Sequence, residues 1–349
     1  MKHIKKIILT LGLLVGLTFG ALGANRVLAA ENPGNFSVQP ILPSNQQPNV
    51  AGYFDLIVTN NQKQTLQIKL TNSSDKRTTF DVGINPAVTS DGGTIDYGQS
   101  KPRLDETLPF DLRDYVKLAQ NKWSVPANTT ITVPIQVSMP NLTFAGRVLG
   151  GIHVTKDSDS DSETKKDGVT IKNKIAYNIA IVLQQSTDKV APDLKLLSGK
   201  PALINGYTNI QLHFQNPKAT IIPDLIFTTK IYRDGKLYLE NTSKKFLVAP
   251  NTNFHLNLDL DGDRIQPGSY KADIVAKSGP FYTWHFSTVF TVDEEKADEV
   301  NKNAIFKTKE TDWWKIISLI AIGLLVILFI IFFIIFFKRR KKKDEENEN

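Results

Sequence analysis

Apolar and polar residues alternate with a period of two along much of this chain. Leu66, Ile68 and Leu70 alternate with Gln67 and Lys69, and Ile131, Val133, Ile135 and Val137 with Thr132, Pro134 and Gln136. Ile210, Leu212 and Phe214 flank Gln211 and His213, and Leu256, Leu258 and Leu260 flank Asn257 and Asp259. This period predicts strands with one face on a core. Pro134 cannot donate to a ladder, which places its strand at an edge or a bulge. Turn residues separate the runs. Asp234-Gly235, between Ile231-Tyr232 and Leu237-Tyr238, predicts a tight hairpin, because a type I′ turn needs positive φ at both central positions. Asp91-Gly92-Gly93 and Pro267-Gly268 predict further turns. The pattern predicts an all-β fold of two immunoglobulin-like antiparallel β-sandwiches. One stretch has helical spacing: Leu112, Tyr115, Val116 and Ala119 predict a short helix over Asp111–Gln120, capped by Asp111.

Elsewhere the pattern has no period. Ile316 to Phe337 is an apolar run of 22 residues without a charge. At about 1.5 Å per helical residue it spans about 33 Å, the thickness of a bilayer's hydrocarbon core. A helix satisfies its own backbone in lipid, so the run predicts a single C-terminal transmembrane helix. Lys338, Arg339, Arg340, Lys341, Lys342 and Lys343 follow it and mark the cytoplasmic side, and Trp313 and Trp314 precede it at interfacial depth. At the other end, Lys2, Lys5 and Lys6 precede an apolar stretch from Ile7 to Leu22 and the small residues Ala24, Ala29 and Ala30. That is the pattern of a secretory signal peptide cut near Ala29 or Ala30. Together the ends predict a single-pass cell-membrane protein with its ectodomain outside and its C-terminus inside.

Lys156 to Asp167 contains no apolar residue and lies between the apolar runs Val148–Thr155 and Val169–Leu183. We read it as a long hairpin loop, which moves the linker to Ser186–Pro192; a boundary near Lys156 is the alternative. The expected organisation is a signal peptide (1–30), a first sandwich (33–187), a second sandwich (190–293), a membrane-proximal stalk (294–315), a transmembrane helix (316–337) and a cytoplasmic tail (338–349).

The net charge of +7 invites a polyanionic partner, and its distribution removes that reading. Residues 1–30 carry +4 and the segment from Lys315 onward +3, so the exported part is neutral. No nucleic-acid partner is expected. The chain has no cysteine, which excludes thiolate metal sites, redox motifs and a Cys nucleophile. A disulfide-free ectodomain of this size points to a bacterium with one membrane and a thick wall.

Catalytic patterns are missing. The exported histidines, His153, His213, His255 and His285, lie far apart in sequence without metal-ligand spacing. Asp259, Asp261 and Asp263 around Gly262 lack the twelfth-position ligand of a calcium loop and read as a polar turn. No carboxylate pair stands out for glycoside hydrolysis. No catalytic residue, metal or cofactor is therefore assigned. Two segments remain as candidate binding surfaces. Gly146, Gly150 and Gly151 give a strand that either bends or presents a flat face to a ligand. Phe281 to Phe286 is dense in aromatics, with Tyr282 and Trp284 on one face; it is either core or an exposed edge able to take up a partner strand.

Several segments, in this order and spacing, resemble the WxL-interacting proteins of Gram-positive bacteria. They are Phe36-Ser37-Val38-Gln39-Pro40, Leu66–Asn72, Asn85-Pro86-Ala87, Thr94-Ile95-Asp96-Tyr97 and the glycine segment Phe144–Ile152. They continue with Asn216-Pro217, Ile221-Ile222, Lys230-Ile231-Tyr232, Ala249–Phe254, Pro267-Gly268-Ser269-Tyr270 and Phe281–Phe286. The resemblance implies a non-enzymatic, membrane-anchored surface scaffold. Its first domain would be of peptidoglycan-binding type and its second of host-binding type, directed at matrix proteins, with WxL-domain wall proteins as partners. The alternatives are a wall-active hydrolase and a co-receptor; the tail of 12 residues is too short to signal without a partner.

Overall fold

In the computed structural model, which describes residues 35–157, 163–166, 169–172, 174–306 and 313–346, the alternating runs are strands whose apolar sides meet in two cores. In the first sandwich one sheet has the order β1 (Phe36–Ile41), β3 (Lys63–Asn72), β9 (Thr129–Ser138), β7 (Val116–Leu118). The facing sheet has the order β2 (Phe54–Ile57), β13 (Ala176–Gln184), β10 (Arg147–Lys156), β4 (Thr78–Pro86), β8 (Lys122–Val125). All pairs are antiparallel except β13 with β2. Leu66, Ile68 and Leu70 point into the core and Gln67 and Lys69 out of it, as the alternation requires. Pro134 pairs with Gln67 in mid-ladder, but β7 reaches only positions 135–137, so β9 is locally an edge at the proline.

The signal-peptide expectation falls on residues outside the described set. The expected hairpin after β10 is present: β10 and β13 pair from Arg147–Gln184 to Thr155–Ala176, and β11 (Glu163–Lys166) and β12 (Val169–Lys172) pair beyond them. A two-strand ribbon, β5 (Val88–Thr89) with β6 (Ile95–Asp96), closes the Asp91-Gly92-Gly93 turn.

The second sandwich sets β14 (Lys195–Ile204), β15 (Tyr207–Asn216) and β19 (Thr252–Asp259) against β17 (Lys236–Thr242), β16 (Ile222–Arg233), β20 (Gly268–Ser278) and β21 (Tyr282–Val292), with β18 (Phe246–Val248) also on β16. Asp234 and Gly235 have φ of 48° and 79° between the paired Arg233 and Lys236, the expected primed turn. Phe214, Phe227, Phe246 and Phe254 form the centre of this core, with ring centroids 4.7–6.2 Å apart.

The two sandwiches repeat one corner. Asn72, at the end of β3, accepts from Ser74 N and donates to Lys76 O, Val125 O and Pro126 O. Asn216, at the end of β15, accepts from Lys218 N and donates to Thr220 O and Ala249 O. Each faces a threonine in register, Thr129 and Thr252, preceded by a left-handed asparagine with φ of 50°. Asn128 N and Asn251 N donate at 3.1 Å to Ser74 O and Lys218 O.

Two expectations change. The helix expected over Asp111–Gln120 is confined to α1 (Leu112–Tyr115); Asp111 caps it by accepting from Arg113 N. Val116 to Leu118 instead pairs with β9, because ladder bonds to a formed sheet outweigh extension of an isolated short helix. The charged segment expected as a stalk begins with α2 (Glu294–Lys302), which lies on the second core. Ala297 and Val300 are buried, and Asn301 brackets Ile265, accepting from its N at 3.1 Å and donating to its O at 2.9 Å. Only every third or fourth residue of α2 is apolar, so its sequence reads as solvated although one narrow face is covered.

The C-terminal α3 (Trp313–Glu346) is a continuous helix of 34 residues. Its described apolar side chains are exposed, Leu319 at 75% and Phe329 at 65%. Among the described residues no helix is long and apolar enough to cross a membrane. The apolar run Ile316–Phe337 of the sequence lies within α3.

Candidate functional site

The sandwiches meet along a seam, and concave surfaces lie beside it. Ala87, Leu149 and Val182 of the first sandwich pack with Ala249 and Ile221 of the second. Around this apolar contact lies a polar ring. Thr89 Oγ1 lies 2.7 Å from Thr252 Oγ1 and accepts from Ala249 N, Leu247 N donates to Gly93 O, and Asn251 Nδ2 donates to Thr107 O. Period-two patterning does not single out these residues because they lie in short strands, at strand ends or in turns.

On one side of the seam is a groove of 420 Å³. Its walls come from Gly146-Arg147, the connection 187–192, the 219–224 turn and the 278–282 turn. Gly146 has φ +75°, and a Cβ there would collide with Ala219. The glycine thus lets the second sandwich come close enough for Arg147 N to donate to Ala219 O at 2.8 Å. Tyr282 forms part of the opposite wall and stacks on Trp284, with centroids 6.0 Å apart at 15°. Phe281 beside it is 88% exposed.

The structure therefore brings Gly146 and Tyr282 to one groove, with Trp284 just outside. Gly150 and Gly151 lie elsewhere, buried in β10. A Cβ on Gly150 would come within 2.8 Å of Asn85 O, and one on Gly151 within 2.7 Å of the Tyr97 ring. The chain itself covers these two glycines, so their role here is close packing. Burial, and then the neighbouring Tyr53, push the Tyr97 hydroxyl up to about 12.

On the other side is a polar pocket of 480 Å³ lined by Arg103, Asp105, Glu106, His213, Gln215 and His255, among others. Asp105 is 7% exposed. It accepts from Thr107 N and Thr107 Oγ1 at 2.8 and 2.5 Å, from Gln215 Nε2 at 2.8 Å and from Asn253 Nδ2. Burial alone would raise this carboxyl; the hydrogen bonds from Thr107, Gln215 and Asn253 outweigh it and hold the group below the ordinary carboxylate range. His213 and His255, opposite each other in the β15–β19 register, have ring centroids 4.8 Å apart. Burial, then the charges of His255, Lys200 and Arg103, lower His213. His255 Nδ1 lies 3.2 Å from Asp91 Oδ1 of the first sandwich. These contacts bring together residues remote in sequence, but among the described residues no group of three or more His, Asp or Glu is placed to hold a metal ion. From the sequence His213 and His255 are weighed as ligands but Asp105 is not; the signal passed over is an aspartate two residues before Thr107, able to accept from that backbone N–H.

Fold and seam define a two-module all-β protein whose open surfaces lie where the modules join. The chain belongs to the WxL Interacting Protein family: residues 36–156 match its peptidoglycan binding domain and residues 166–302 its host binding domain. The second match includes β13, which nevertheless lies between β2 and β10 in the first sandwich. No curated protein matches the sequence. Among solved structures it is similar to the CupB2 chaperone of Pseudomonas aeruginosa, at 12% identity over 66% of this chain and 93% of that one, with a TM-score of 0.26. It is also similar to the E. coli chaperone DraB, at 10% identity over 74% and 95%, with a TM-score of 0.29. A third is the CsuC-CsuE complex of Acinetobacter baumannii, at 11% identity over 63% and 88%, with a TM-score of 0.30.

Proposed function

We propose that this protein is a non-enzymatic scaffold of the cell surface, anchored in the membrane by α3, that holds peptidoglycan, WxL-domain wall proteins and host matrix proteins. The observation that carries the reading is the pair of family domains, peptidoglycan binding and host binding, spanning residues 36–302. Export by the signal sequence and anchoring with the C-terminus inside are supported by the charge pattern: basic residues cluster at the two ends and the remainder is neutral. A solvated helix would be unstable with the apolar side chains that α3 exposes, and lipid is the environment that suits them.

The sandwiches, taken as 33–187 and 190–293, are immunoglobulin-like in this reading. The Tyr270 hydroxyl donates to Gln266 O at 2.7 Å at the start of β20, the arrangement of the tyrosine corner in such folds. The full-length protein in detergent should be retained by purified peptidoglycan and by a WxL-domain protein. Absence of retention on both would overturn the reading. On intact cells, added protease should reach the sandwiches; protection until permeabilisation would overturn the orientation.

A further inference from the structure

Sheet edges carry unpaired N–H and C=O groups, and soluble folds blunt them with charge, proline, bulges, shortness or cover. Among the described residues, the edges of the sandwich sheets other than β21 are treated in one of these ways. β1 contains Pro40, β7 has three residues, and β2 and β8 have four each, with Asp55 and Lys122. β17 carries Lys236 and Glu240 opposite a register shift, and β14 carries Lys195, Lys200 and Pro201 with a shift of its own. β19 is covered from the first sandwich, where Asp91 Oδ1 accepts from His255 N at 3.0 Å.

β21 is different. It has 11 residues, Tyr282 to Val292, with no Asp, Glu, Lys, Arg, Pro or Gly. It pairs with β20 on one side only. β14 comes against its far half, where Gly199 leaves room for the Phe290 ring. The near half, Tyr282–Phe286, has no second strand and opens at its start into the seam groove. In that groove Asp224 is paired with Lys245 at 3.0 Å. Arg147 and Lys189 make no ion pair among the described residues and face only Asp188 among the groove's unpaired acids.

We propose that the edge of β21 over Tyr282–Phe286 accepts an extended segment of a partner protein as an added strand, with an acidic side chain of that segment placed in the groove against Arg147. A polypeptide is the ligand that complements a ladder of alternating donors and acceptors, and the residual positive charge selects an acidic residue at the strand's end. Tyr282 and Trp284, stacked on each other at this edge, supply apolar contact for alternate side chains of the incoming strand.

The proposal rests on the reading that the chain associates with WxL-domain proteins, and a purified WxL-domain protein is the probe. Hydrogen exchange on the full-length protein should show backbone amides of 282–286 protected when the probe is added. The double substitution Thr283→Glu, His285→Lys changes exposed positions, sets the new glutamate opposite Lys277, should leave thermal unfolding unchanged, and should weaken binding about tenfold or more. Undiminished binding by this variant, with protection confined to other segments, overturns the proposal and leaves the association standing. No binding by the unsubstituted protein overturns the association and the proposal with it. Self-association abolished by the same substitutions, without effect on the probe, puts a second copy at this edge and also overturns it.

Discussion

Asp105 spans the seam: its carboxylate is buried at the edge of the first sandwich and takes two of its hydrogen bonds from Gln215 and Asn253 of the second. Its folded value lies below the ordinary 3.8, so its contribution to stability is fully present above that value and is lost as pH falls through the folded one. The unfolding midpoint should therefore drop on acidification below about pH 4, and more steeply than in Asp105→Asn, which cannot titrate. Equal acid slopes for the two proteins would refute this role. Gly146 is the second residue on which the seam depends. Gly146→Ala forces a side chain into the left-handed region and against Ala219, at a cost of about 1–3 kcal/mol, measured as a lower denaturant midpoint.

At the level of elements, the clearest test is α2. Asn301→Ala leaves both backbone groups of Ile265 unpaired in a buried place, which should cost about 1–3 kcal/mol and expose residues 294–306 to proteolysis. Cleavage there at an unchanged rate would return the segment to the role of a free stalk. The same element marks where sequence reading stops. Period-two strands such as β3 and β19, and the Asp234-Gly235 turn, are legible because local pattern and tertiary burial agree. α2 is not, since two apolar residues and one asparagine suffice to dock it. α1 is too long in the sequence reading because Val116–Leu118 fits either period, and only the presence of β9 decides. Of the candidate site, Gly146 and Tyr282 were legible as unusual residues, whereas Asp105, Arg147 and the His213–His255 contact depend on register and docking, which a single sequence does not encode locally.

For the whole molecule, the apolar contact and the polar ring of the seam predict that the two sandwiches unfold together. Calorimetry of the full-length protein should give one main transition for them, and Asp105→Ala should split it into two; two separate transitions in the unsubstituted protein would show the seam to be weak.

β13 carries a practical corollary. A fragment ended at Lys156 in accordance with the family boundary would keep β10 but strip away its neighbour, laying bare Gly151, Ile152 and Val154 along an unprotected ladder and leaving β2 without its only partner strand in that sheet. The complementary fragment would begin with an apolar hairpin arm cut from its home. A fragment that is to keep this sheet whole has to run on through Gln184.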